Sequence, residues 1–184
     1  MKPVGQLMTE HRLIERAIKL MRDEATRIRQ LGRTDISFIY GVVDFIRTYA
    51  DKTHHGKEED ILFKRAATKK LSQEDSKLLS RLIDDHNYGR NTTTALLEAA
   101  NEYAKGKDTL DTIRNRLIDL AEFYPKHIRA EEEIFFPHSE KYFTEEELDT
   151  MLMDFWEYDR KMIHTKYQAI VENMEKQEIF TTVS

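Results

Sequence analysis

The chain contains no cysteine, and that absence removes a disulfide framework, a thiolate metal site and a thiol nucleophile together. Any metal it holds must be bound through nitrogen and oxygen. Glycine and proline are scarce, six and three among 184 residues, too few for a turn-rich β protein or a disordered one. Long apolar runs are missing too, since none approaches the roughly 20 residues a membrane span needs. No apolar stretch follows Lys2, so the start predicts no secretory signal. Positive charge is not in excess: the formal net charge is −5, which does not favour a nucleic-acid partner and excludes membrane insertion no further than the missing spans already do. These absences lead us to expect a cytoplasmic protein, a single domain over residues 1–184, long enough to bury a core.

What the chain does have is charge, 34% of residues, arranged as in a helical protein. Five helices are predicted. The first runs from about Gly5 to Leu31 and stops at Gly32, a C-terminal cap. The second begins after Thr34 or Asp35 and reaches about Ala67. Ser72 before Gln73-Glu74-Asp75 opens the third, which ends near Gly106. The fourth starts at Asp108 and is closed after Phe136 by Pro137. Thr144-Glu145-Glu146-Glu147 is a capping box that opens a fifth helix, about 145–177, and the residues from Ile179 are expected to fray. Short connections make sequential helices antiparallel neighbours. The fold class is therefore all-α: an antiparallel four-helix bundle with an additional C-terminal helix.

Apolar residues recur in alternating steps of three and four, the inward stripe of a bundle helix. The stripes read Leu7, His11, Ile14, Ile18, Met21, Ala25, Ile28; Val43, Ile46, Ala50, His54, Glu58, Ile61; Leu79, Leu82, His86, Gly89, Thr93, Leu96, Ala100, Tyr103; and Leu110, Ile113, Leu117, Leu120, Tyr124, His127, Glu131, Ile134. Each is interrupted by a histidine, and two carry a glutamate one turn later. An internal repeat accompanies this. Leu7-Met8-Thr9-Glu10-His11 matches Leu82-Ile83-Asp84-Asp85-His86, and the ten residues from His54 match the ten from His127. The chain thus reads H…HxxxE twice, as two pseudo-symmetric helical hairpins.

The spacing i, i+4 puts His54 with Glu58, and His127 with Glu131, on one helix face. Four imidazoles and two carboxylates then converge inside the bundle. A buried, unpaired carboxylate costs several kcal/mol, on the order of magnitude usual for such groups. A compensating positive charge is required, and divalent metal supplies it better than protonated histidine. One buried histidine alone would be read as an ordinary core residue; four on four stripes with two glutamates are read as ligands. Imidazole with carboxylate suits iron, and equally zinc or manganese.

This H…HxxxE…H…HxxxE order resembles the hemerythrin-like (HHE) cation-binding domains, over roughly residues 5–137. The resemblance implies a centre of two non-heme irons, oxo- or hydroxo-bridged, held by His11, His54, Glu58, His86, His127 and Glu131. Oxygen-carrying members have a further histidine one turn after the third-helix one; here Arg90 stands there, after Gly89. Members that sense iron use a ligand directly after the second-helix histidine, which makes His55 the fifth nitrogen ligand. By helix geometry His55 sits about 100° round from His54, a place that suits surface as well as site. The implied partner is dioxygen or another small diatomic or peroxide. Oxygen or redox sensing or carriage, oxidoreductase activity, iron storage or sensing, and a metal-free interaction module all remain open, as does any protein partner.

Other residues have plainer readings. Glu59 and Glu132 are expected behind the ligands or in solvent, with Arg90 pairing to one of them, and Glu59, Glu132 or Tyr88 are candidates for acid–base help. Gly89 and Thr93 make close helix packing or space for a small ligand. Pro125 is expected to kink its helix. His138 is read as a surface loop residue and His164 as structural. Phe63, Phe135, Phe136, Trp156 and Tyr158 are read as core aromatics under the fifth helix.

Overall fold

A computed structural model describes residues 2–181, and among them all regular structure is helical. Helix α1, Pro3–Leu31, starts two residues earlier than the sequence suggested because Pro3 fits the first helical turn, where its missing N–H costs nothing. It ends at Gly32, whose φ of 62° lets its N–H bond the Ile28 carbonyl. Helix α2 spans residues 36–66: an α segment Ile36–Phe45, π-type turns over Ile46–His55 and Glu58–Phe63, and a last turn Lys64–Ala66. Asp35 caps it, accepting from the Ser37 N–H at 2.9 Å; Thr34 instead donates to Glu24. Helix α3, Gln73–Ala104, is capped by Ser72, which accepts from the Asp75 N–H at 3.0 Å. Helix α4 covers residues 110–139, with Leu110–Ala130 regular, Glu131–Phe135 π-type and Phe136–Ser139 regular again. Helix α5, Glu145–Thr181, opens with the reciprocal pair Thr144 N–H to Glu147 (2.8 Å) and Glu147 N–H to Thr144 Oγ1 (3.2 Å). It includes Ile179, expected to fray; residues 182–184 lie outside the described residues.

Helix α1 packs along α4, α4 along α3 and α3 along α2, while α5 lies across α1 and α2. The interior divides into two apolar clusters. One gathers Ile14, Ile18, Met21, Ile39, Leu96, Leu117 and their neighbours; the other gathers Leu7, Leu62, Phe63, Leu82, Phe135, Phe136, Met151 and Phe155. On α1, α2 and α3 the inward histidines and glutamates fall in chain position between the members of the two clusters, and on α4 His127 and Glu131 flank the crossover from Ile128 to Ala130, so a polar layer is sandwiched between two dry ones.

Several expectations need correcting. Pro137 does not close α4: in the first turn of a resumed α segment its missing N–H is tolerated, and the helix continues to Ser139. His138 is therefore in a helical turn rather than a loop, and its Nδ1 donates to Asp75 at 2.7 Å. Pro125 deprives the Ala121 carbonyl of its usual helical donor, and Arg22 from α1 supplies one at 2.7 Å. Trp156 is 59% exposed and Tyr158 only part-buried, because α5 turns Leu148, Met151, Leu152 and Phe155 inward, a three-and-four spacing that leaves 156 on the far side. Ile134 is 44% exposed although its repeat counterpart Ile61 is buried. Helix α5 packs on residues 58–63 and breaks the equivalence of the two halves there. Tyr103 and Leu110, at the ends of their stripes, are only half-buried.

Candidate metal centre

The π-type turns shape the site before any side chain is considered. At Gly56 the N–H bonds the Asp51 carbonyl, five residues back. A turn that takes more residues than the usual 3.6 rotates successive side chains by less than about 100°. His54 and His55 therefore both point inward, 1% and 2% exposed. In α4 the Phe136 N–H bonds the Glu131 carbonyl in the same five-residue pattern.

His11, His54, His86, His127, Glu58 and Glu131 are all buried, the two carboxylates completely. Their donor atoms form two groups, each within 4.8 Å: His11, His54, Glu58 and Glu131 in one, His55, His86 and His127 in the other. Both carboxylates reach between the groups. Glu58 sets Oε1 3.6 Å from His54 Nε2 and Oε2 3.4 Å from His86 Nε2. Glu131 sets Oε2 3.2 Å from His11 Nε2 and Oε1 3.1 Å from His127 Nε2 and 3.6 Å from His86 Nε2. Two ligand atoms about 2.1 Å from one ion and about 90–110° apart are about 3.0–3.4 Å from each other, close to this spacing.

None of these inward atoms has a hydrogen-bond partner: the Nε2 of His11, His54, His86 and His127, and both oxygens of Glu58 and Glu131. The opposite ring nitrogens are all engaged. His11 Nδ1 donates to Glu132 (2.8 Å), His54 Nδ1 to Glu10 (2.9 Å), His86 Nδ1 to Glu59 (2.6 Å) and His127 Nδ1 to Asp85 (3.5 Å). An ionised carboxylate can only accept, so Nδ1 carries a proton and Nε2, whose lone pair a bound cation would take, is the nitrogen that faces the centre. That tautomer, with its acidic backing, is the one metal-binding histidines use. Leaving so many buried polar atoms unpaired would cost on the order of 1–3 kcal/mol each, and cations in the two groups satisfy them all at once.

Electrostatics follow the same layout. Burial lowers the His86 pKa, but Glu131, Glu58 and Glu59 more than reverse this and raise it to about 11. His127 is likewise lowered by burial and carried up to about 9 by Glu131 and Asp85. Burial pushes Glu131 up, and His127, His11 and His86 outweigh it, holding the carboxyl well below its ordinary value. His55 is held well below 6.5, first by burial and then by His86, His54 and His127. Its ring stacks on His86 with centroids 3.8 Å apart.

Glu59 and Glu132 thus stand behind histidines. Arg90 pairs with Glu59 (2.6 Å) and also with Asp51 (2.7 Å). Arg12 pairs with Glu132. Tyr88 is 46% exposed and packs on Phe123, whose ring in turn stacks on His127. His164 is exposed on α5. Sequence reasoning overlooked Glu10 and Asp85, although each immediately precedes a repeat histidine and the repeat displayed both. It also overlooked Lys57. This lysine is fully buried, pairs with Glu10, and donates to Asp159 of α5 at 2.6 Å. Its repeat counterpart is Ala130, so no symmetry flagged it.

A family model described as Hemerythrin HHE cation binding domain matches residues 2–155. Comparison with curated proteins and with solved structures returned no match.

Proposed function

The chain belongs to the hemerythrin HHE cation-binding domain family, and from that premise we propose that it holds two non-heme irons and binds or reacts with dioxygen or a related small oxidant. The observation that carries this reading is the set of unpartnered inward atoms in two groups spanned by Glu58 and Glu131. His11 and His54 would serve the first ion, His55, His86 and His127 the second, with both carboxylates common to the two. The first ion would have fewer protein donors than the second, which would favour it for an exogenous ligand. Bound iron supplies redox chemistry toward the oxidant. The protein residues hold the ions, exclude water through the two apolar clusters, and keep the Nδ1 protons in place through Glu10, Glu59, Asp85 and Glu132.

Among the described residues no helix is long and apolar enough to cross a membrane. We place the cysteine-free chain in the cytoplasm and treat residues 1–184 as one domain. Elemental analysis of protein purified without an affinity tag tests the reading, with a His54→Ala plus His127→Ala variant as control. The expected result is about two irons per chain, lost in the control. Zinc in their place would remove the redox part, and manganese would keep redox chemistry while overturning the assignment to iron. No metal, with thermal stability unchanged by chelation, would overturn the whole and leave a helical interaction module.

A further inference from the structure

Ile46, Asp51, His55, Gly89, Thr93 and Tyr124 line a cavity of about 50 Å³ between α2, α3 and α4. It has room for two or three heavy atoms and not for a carbon skeleton. The unusual feature is Tyr124. The residue is 1% exposed and its hydroxyl has no hydrogen-bond partner, whereas a buried tyrosine ordinarily finds one. Burial raises its pKa, so the hydroxyl keeps its proton and acts as a donor. A Cβ added at Gly89 would lie 3.7 Å from that hydroxyl and 3.5 Å from Phe123 Cε1, ordinary contact distances that put position 89 at the edge of the space in front of the hydroxyl. Thr93 is turned aside, donating to the Gly89 carbonyl at 2.8 Å.

Two more polar groups face the same space. His55 Nδ1 is buried without a partner, 3.7 Å from Asp51 Oδ1. Asp51 is held by Arg90, a part-exposed side chain also lining the cavity. The chamber therefore offers a phenol donor, a carboxylate acceptor, the His55 Nδ1, which is a donor when Nε2 serves the metal, the side chains of Arg47 and Arg90, and apolar surface from Ile46 and Gly89. Dioxygen, a weak acceptor with no donor, would leave unanswered Asp51 Oδ2, to which no described side chain donates while Oδ1 accepts from Arg90. Hydrogen peroxide has two heavy atoms, two donors and lone pairs on both oxygens.

We propose that this cavity is a docking site for hydrogen peroxide, with the Tyr124 hydroxyl donating to it and the Asp51 carboxylate accepting from it, beside the His55–His86–His127 group. The proposal deepens the reading of the cluster as a metal centre for small oxidants and rests on it. It puts the oxidant's waiting place on the second ion's side, away from the ligand position favoured on the first.

Zinc-loaded protein, which does not turn peroxide over, allows a binding test without activity. The eight tyrosines are labelled with carbon-13 in the ring, and the Tyr124 resonance is identified by its loss in Tyr124→Phe. Peroxide titration is expected to shift that resonance saturably. In Gly89→Leu, which fills the cavity, the shift should vanish. In Asp51→Asn half-saturation should need about tenfold more peroxide, as for losing a charged acceptor; this second variant serves if Gly89→Leu does not fold. An unmoved Tyr124 resonance in fully loaded protein, or an unchanged titration in Asp51→Asn, overturns the proposal and leaves the metal reading standing. Failure to take up zinc or iron would instead sink the metal reading, and the same titration on the metal-free protein would still decide the cavity.

Discussion

Glu10, Glu59, Asp85 and Glu132 each stand behind a histidine, and their effect is exerted through the ring. By accepting from Nδ1 they fix the tautomer and raise the basicity of Nε2. Glu59→Gln keeps the shape but loses the charge; it should weaken metal affinity by about 10–100-fold, read by competition with a chelating dye. Asp85, at 3.5 Å from His127, should matter less than Glu59, at 2.6 Å from His86. The same residues set a pH dependence. Without metal, His86 and His127 titrate near 11 and near 9, above the ordinary 6.5. A folded-state pKa above the unfolded one adds stability that is complete below pH 6.5 and is lost as pH rises through 9 and then 11. The metal-free chain should thus melt at progressively lower temperature from pH 7 to pH 10. The loaded chain, whose Nε2 atoms carry no proton, should not. Loading at pH 7 should also release protons, visible in calorimetry as a heat that varies with the buffer; equal heats in all buffers would contradict this.

At the scale of elements, the fifth helix is bound to the turn that carries His54 and His55. The Tyr158 hydroxyl donates to the Lys52 carbonyl at 3.1 Å, and Asp159 accepts from Lys57, whose ammonium also lies 5.9 Å from the Phe155 ring centre. Gly56 is needed for this approach, since a Cβ there would lie 2.1 Å from the Tyr158 hydroxyl. Gly56→Ala should cost roughly 1–3 kcal/mol, as overpacking does, by chemical denaturation. Adding Tyr158→Ala should recover part of that loss, and strictly additive effects would refute the clash. Asp159→Asn removes one of the two carboxylates that hold Lys57. Burial pushes Glu10 up while His54 and then Lys57 hold it low, so a displaced lysine should reach the metal centre through His54. The readout is a shift in reduction potential or in the ligand-to-metal absorption, restored by Asp159→Glu.

For the whole molecule, the polar layer between two apolar clusters makes metal part of the fold's stability. A ligand that binds only the folded state adds about 2.7 kcal/mol per site at a free concentration 100 times its dissociation constant. Chelation should therefore lower the melting temperature by several degrees for a chain of this size. The His54→Ala plus His127→Ala variant should no longer respond to chelation, and a response of wild-type size in it would place the metal elsewhere.

Much of this was readable in the chain alone. Cysteine's absence, the capping residues Ser72 and Thr144, and the three-and-four spacing specified the helices, because caps and amphipathic faces are local or periodic properties. The six inward histidines and glutamates were legible too, since i, i+4 on a helix fixes a shared face and the repeat showed it twice. The π-type turns were not legible: they change the register by a fraction of a turn, leave no mark in composition, and decide that His55 faces inward. Lys57, Asp159, Tyr124 and Asp51 were equally hidden. Their parts depend on which surfaces α5 covers and on how α2, α3 and α4 close around Gly89, contacts between residues as much as about a hundred positions apart. Sequence determined where the inward histidines and glutamates stand along each helix; packing decided what stands behind and beside them, because a buried charge takes its partner from whichever helix comes nearest.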